Sequence, residues 1–85
     1  MDKKYHDIQV TDRNSFVEFL ELFWEDYTEN KAEWKNDELP DFIDAMMRYA
    51  VDIQDFYDDT RRPINADVPT WTVFADIMKG AKVYE

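Results

Sequence analysis

Apolar residues recur at spacings of three and four along three stretches of the chain, and each stretch predicts a helix. In the first, Phe16, Leu20, Phe23 and Tyr27 follow at intervals of 4, 3 and 4, flanked by Val17 and Trp24. At about 100° per residue they share one broad face. Ser15 and Glu18 have the spacing of a capping box, and Thr11 or Asp12 can cap one turn earlier. This helix is placed at about residues 13–29. In the second stretch, Leu39, Phe42, Ile43, Met46, Tyr49, Ala50, Ile53, Phe56 and Tyr57 hold the period for five turns, the strongest such signal in the chain. Asn36 or Asp37 precedes it as a cap, and Pro40 falls in the first turn, where its missing N–H costs nothing. A helix over about 38–58 is predicted. The third opens at Thr70, an N-cap residue, and carries Trp71, Phe74, Ala75, Ile77, Met78 and Ala81 over about 71–83. Gly80 inside this pattern marks close helix approach or early fraying.

The remaining segments are short. "YHDIQV", with Tyr5, Ile8 and Val10 as apolar members, reads as an extended lead-in or a brief strand. "NKAEWKND" and "DDTRRPINADVP" connect the helices without periodicity. Trp34 is expected to close the corner between the first two helices over the core. Trp71 is expected to pin the third helix to the second, and Tyr84 to cover one end. The predicted fold class is all-α: a single helical domain over residues 1–85, a compact bundle of three main helices with a short extended N-terminal lead-in.

Composition narrows the function. Twenty acids against ten bases give a formal charge of −10. Such a field repels nucleic acid and anionic lipid, and its electrostatic complement is a basic protein. No cysteine is present, which excludes disulfides, thiol catalysis and cysteine-based metal sites. "MDKKYHDIQV" lacks the apolar run of a signal peptide, and no stretch reaches the ~20 apolar residues of a membrane span. The expectation is a cytoplasmic protein. Six Phe, five Tyr and three Trp supply a dense core for so short a chain.

Candidate catalytic groups are few. His6 is the one histidine and stands in the lead-in. Ser15 is better explained as a helix cap than as a nucleophile. Asp52, Asp55, Asp58 and Asp59 are spaced 3, 3 and 1, with no glycine to follow, unlike a calcium-binding loop. At helical spacing they fan outward rather than enclose an ion. The chain reads as no enzyme, with no cofactor and no metal.

The acids themselves form a pattern. Residues 18–30 hold Glu18, Glu21, Glu25, Asp26 and Glu29 and no base. Glu18, Glu21, Glu25 and Glu29 make one stripe opposite the apolar face, with Leu22 projecting near it. Like charges at i,i+4 cost a few tenths of a kcal/mol per pair. The second helix has its own outer stripe of Asp41, Asp44, Asp52, Asp55 and Asp59, with Arg48 placed to pair with Asp44 or Asp52. Arg61 and Arg62 stand out in an acidic chain. They are placed to pair with Asp58 and Asp59, or to bring forked donors to a partner. Solvated helix faces are the plain alternative to a docking surface.

Three separated motifs resemble a family of small helical bacterial proteins of unknown function: Trp34-x-Asn36-x-x-Leu39-x-x-Phe42, Pro69-x-Trp71-x-x-Phe74-Ala75 and Ala81-x-x-Tyr84-Glu85. The resemblance covers about residues 34–85 and implies a helical fold and a bacterial origin, but no activity. In size, acidity and helix content the chain is also similar to the immunity proteins of nuclease colicins, whose sequence motifs it lacks.

The function expected from these features is a non-enzymatic acidic protein-binding module for a basic partner, with an immunity-type inhibitor of a toxin domain as its most specific form. A phosphate-mimicking regulator of a nucleic-acid-binding protein and a homodimeric accessory protein are the alternatives. Oligomeric state is open at this point.

Overall fold

The computed structural model describes residues 3–85. Three α-helices account for most of them: α1 (Arg13–Glu29), α2 (Leu39–Asp59) and α3 (Trp71–Ala81). Single 3-10 turns stand at Tyr5–Asp7 and Lys31–Glu33. No strand occurs among the described residues, so the all-α class and the three helices stand as the periodicity predicts. Met1 and Asp2, the first residues of the lead-in, lie outside the described residues.

Helix ends follow local chemistry, with some reassignment. The cap of α1 is Asp12, whose carboxylate accepts from the Ser15 N–H at 2.8 Å. Ser15 Oγ in turn accepts from the Asp12 N–H at 3.1 Å, so Ser15 is the inner member of the box and Glu18 takes no part. At α2 the cap is Glu38, with no side-chain bond, and neither Asn36 nor Asp37 fills the role. Thr70 caps α3 by accepting from the Val73 N–H at 3.2 Å. α3 stops at Ala81, two residues short of the predicted end, and an asparagine from elsewhere in the chain takes over its last carbonyl. Asn36 Nδ2 donates to the Ala81 and Tyr84 carbonyls, each at 2.8 Å.

α3 is the centre of the architecture. It packs on both α1 and α2, while no Cα of α1 comes within 8 Å of a Cα of α2. The core therefore has two parts. One gathers Phe19, Phe23, Trp34 and Ala75 with Ile8 and Val10 of the N-terminal segment. The other gathers Ile53, Tyr57 and Val73 under Ile64 and Ala66 of the last connection. The lead-in is thus a strap that buries only Ile8 and Val10: after its 3-10 turn it runs extended, and the Thr72 hydroxyl donates to the Val10 carbonyl.

Gly80 marks a close approach. A Cβ there would overlap the Tyr49 ring, so α2 and α3 meet at this residue only because it has no side chain. Tyr84 does cover that end, standing edge-on to Tyr49 at 5.0 Å.

Several apolar positions differ from the sequence pattern. Phe19, outside the predicted face of α1, is fully buried, whereas Val17 and Trp24 are exposed. On α2 the exposed apolar residues include Leu39, Ile43, Ala50 and Phe56. Trp34 closes its corner as expected, 4.7 Å from Phe23 and 5.1 Å from Tyr27. Trp71 packs on Phe16 of α1, at 5.3 Å, rather than pinning α3 to α2. The helix periodicity of α2 yields a direct test. Ile53→Ala removes a buried side chain and is expected to cost about 2–5 kcal/mol in chemical denaturation. Val51→Ala, at a position 78% exposed, should stay within about 0.5 kcal/mol. Equal effects at the two positions contradict this orientation of α2.

Candidate functional site

The α1 acids are placed by the burial of Phe19 and Phe23. Those rings fix the rotation of the helix, and Glu18, Glu21, Glu25 and Glu29 then fall on the solvent side, all exposed. Lys3 reaches Glu18 at 3.2 Å. Glu21, Glu25 and Glu29 have no ion-pair partner among the described residues. Leu22 does not join the stripe; it is half-buried against the core.

Asp26 also leaves the acidic face. It is half-buried and gathers donors from three places in the chain. The Trp34 indole N–H donates at 2.7 Å, Asn30 Nδ2 at 3.1 Å and Lys82 Nζ at 2.8 Å. Burial alone would raise its pKa, but the hydrogen bonds from Lys82, Trp34 and Asn30 outweigh that and hold the carboxyl below its ordinary range. Burial likewise opposes the charge on Lys82, and its bonds to Asp26 and Tyr5 still raise its pKa. The ammonium lies 5.1 Å from the Tyr5 ring and 5.5 Å from the Trp34 ring. The base missing from residues 18–30 therefore arrives from beyond the end of α3, and it serves the fold.

On α2 the acids Asp41, Asp44, Asp52, Asp55 and Asp59 are exposed. Arg48 pairs with Asp44 at 2.9 Å, not with Asp52, which accepts from the Tyr84 hydroxyl. Asp41, Asp55 and Asp59 have no ion-pair partner among the described residues.

The two arginines have separate duties and neither pairs with Asp58 or Asp59. Arg61 reverses the chain after α2 at a left-handed φ of 58°, a position where glycine is common. Arg62 turns to α3, 3.9 Å from Asp76 and over the Phe56 ring at 5.8 Å. Asp76 in turn accepts from the buried Tyr57 hydroxyl at 2.7 Å, and burial together with that carboxylate pushes the phenol well above its usual pKa. His6 is exposed and stands edge-on to Tyr5 at 5.2 Å. Among the described residues no group of three or more His, Asp or Glu side chains gathers as a metal site requires.

Sequence reasoning missed a groove. α1 and α2 meet through side chains, Phe23 and Phe42 lying 6.3 Å apart, but no Cα of one comes within 8 Å of a Cα of the other, and an open apolar channel of about 320 Å³ lies between them. Leu20, Trp24 and Tyr27 form one wall, and Leu39 and Phe42 form the other. Phe23, Trp34 and Met78 line it from within the fold. Trp24 and Leu39 stand at 67% and 69% exposure. Asp37 and Glu38 border one end, and Glu21 and Glu25 border the adjoining patch of Val17, Leu20 and Trp24. Lys31, leaning over the Tyr27 ring at 5.3 Å, is the cation beside it. Trp24 and Leu39 read in the sequence as parts of core faces, and only their exposure reveals the groove.

Fold and surface together define a small acidic helical domain in which a central third helix separates two partial cores. The chain belongs to a family of unknown function (DUF7660), whose model matches residues 12–85. The match takes in α1 as well as the three motifs from Trp34 onward, and so reaches further toward the N-terminus than the motifs alone suggest. No curated protein and no solved structure matches the chain. The likeness to the colicin immunity proteins finds no support among these matches. Among the described residues no helix is long and apolar enough to cross a membrane.

Proposed function

We propose that the chain is a non-enzymatic, acidic protein-binding module whose partner is a basic protein. One observation carries the reading. Glu21, Glu25, Glu29, Asp41, Asp55 and Asp59 are exposed without counter-ions among the described residues, while Lys82, Arg62 and Lys79 turn to carboxylates of the fold instead. Lys82 is held by Asp26, and Arg62 and Lys79 both lie within 4 Å of Asp76. A surface left this acidic gains little for folding, since like charges repel. It accelerates encounter with a partner of opposite charge. A basic toxin domain and a basic nucleic-acid-binding protein both present such a surface, the second by way of phosphate mimicry. The test is to isolate the partner by affinity capture from the native cell and measure its association rate with the purified chain. The rate should fall steeply as salt rises. A partner that is itself acidic, or one whose association ignores salt, overturns the reading.

A further inference from the structure

We infer that the groove between α1 and α2 is the seat for an amphipathic helix of the partner, with apolar side chains facing in and lysines or arginines along both flanks. This deepens the preceding proposal and rests on its basic partner.

The shape favours a helix. The groove is open along one side and lies between two helices whose Cα atoms nowhere come within 8 Å of each other. A small molecule in it would stay exposed on that side. A helix laid along it seals the channel and places residues at i, i+3 or i+4, and i+7 against the apolar floor. The volume of about 320 Å³ is at the small end for a ligand pocket. It suits a few anchoring side chains.

The core leaves some large apolar residues out. Trp24 and Leu39 both line the groove and are its most exposed apolar members. Leaving such side chains in water forgoes the stabilisation that their burial would bring. Exposed tryptophan on a groove lip is also the residue type most enriched among binding hot spots.

Charge selects among occupants. Asp37 and Glu38 in the groove's lining, with Glu21 and Glu25 on the adjoining α1 patch, outnumber Lys31 beside Tyr27 and leave the groove an acidic border with no basic side chain in its lining. A second copy of this chain would bring the same acids to the same border and be repelled. A helix with basic flanks is attracted and is held in register by them.

The experiment uses the full chain, isotopically labelled, and a synthetic amphipathic peptide with Leu or Phe at the anchor spacing and Lys or Arg on both flanks. A control peptide carries Glu in place of every flanking base. Chemical-shift perturbation should centre on the Trp24 and Trp34 indole N–H groups and on the backbone of Leu20 and Leu39. The control peptide should leave these signals in place. Trp24→Ala and Leu39→Ala should each weaken binding about tenfold or more while keeping the helical spectrum and melting temperature. If the shifts follow only Glu21, Glu25 and Asp41 and the indoles stay still, the groove inference is overturned and the basic-partner reading stands. If the control peptide binds as well, or neither peptide binds, both fall. Shifts at the indoles that grow with protein concentration alone assign the groove to a second copy and overturn the inference.

Discussion

Replacing Phe19 with alanine is expected to cost about 3–5 kcal/mol, a large share of the stability of a domain this small. The ring is fully buried. It stacks at 5.0 Å on Phe23 and 6.0 Å on Phe16, and Tyr5 meets it edge-on at 6.0 Å. Lys79 of α3 covers it from the other side, 5.5 Å from the ring centre. The loss thus spans the N-terminal strap, α1 and α3, so no single element can collapse into the space. Phe19→Leu keeps part of the volume and should cost less. Urea unfolding followed by circular dichroism measures both. A Phe19→Ala loss near that of an exposed site would mean that α1 is rotated away from the position described here.

The second large effect belongs to Asp26. Asp26→Asn is expected to cost about 3 kcal/mol at neutral pH, because it leaves the Lys82 ammonium mostly buried beside a neutral group. The direction with pH follows from the lowered pKa of the folded state. The stabilisation is present above the unfolded carboxyl value of about 3.9 and disappears as pH falls through the lower folded value. The gap between the wild-type and variant proteins should therefore close in acid. Lys82, with its raised pKa, contributes below its unfolded value of about 10.4, and that share disappears as pH rises through the folded one. The double variant Asp26→Asn with Lys82→Met should recover part of the loss, since no charge remains to be compensated. A gap that stays constant from neutral pH into acid contradicts the ion-pair account.

These two residues also show what the sequence could disclose. The start of α1 was legible because Asp12 and Ser15 are local capping residues. The extent of α2 was legible because its apolar period runs unbroken from Leu39 to Tyr57. The buried arc within each helix was not. From Phe16 to Trp24 apolar residues occupy positions 16, 17, 19, 20, 22, 23 and 24. So broad a face allows several rotations, and distant segments choose among them: Ile8 and Val10 of the strap, and Ala75 of α3.

Asp26 looks in sequence like its neighbour Glu25, and its cation lies 56 residues away. A faint signal was present, because Asp26 follows Phe19 by seven residues and Phe23 by three, which places it on the buried face. The acidic stripe of Glu21, Glu25 and Glu29 was legible for the opposite reason: it needs only the helix period and no distant partner. The groove was invisible because it comes from the distance at which α1 and α2 stand from each other, a matter of tertiary geometry. In the sequence the exposed positions Leu39, Ile43 and Phe56 are indistinguishable from core. Arg61 and Arg62 were drawn together by adjacency, whereas the chain reversal at Arg61 sends their side chains to different work.

The central claim is that the acids of α1 serve recognition and not folding. Its most direct test is the association rate of the Glu21→Gln, Glu25→Gln double variant with the basic amphipathic peptide, followed by stopped-flow tryptophan fluorescence at low and high salt. The variant should melt at or slightly above the wild-type temperature, since two repelling carboxylates have gone. It should associate several-fold more slowly at low salt, and the difference should vanish at high salt, where the charges are screened. A variant that melts much earlier, or that associates as fast as wild type at low salt, contradicts the claim.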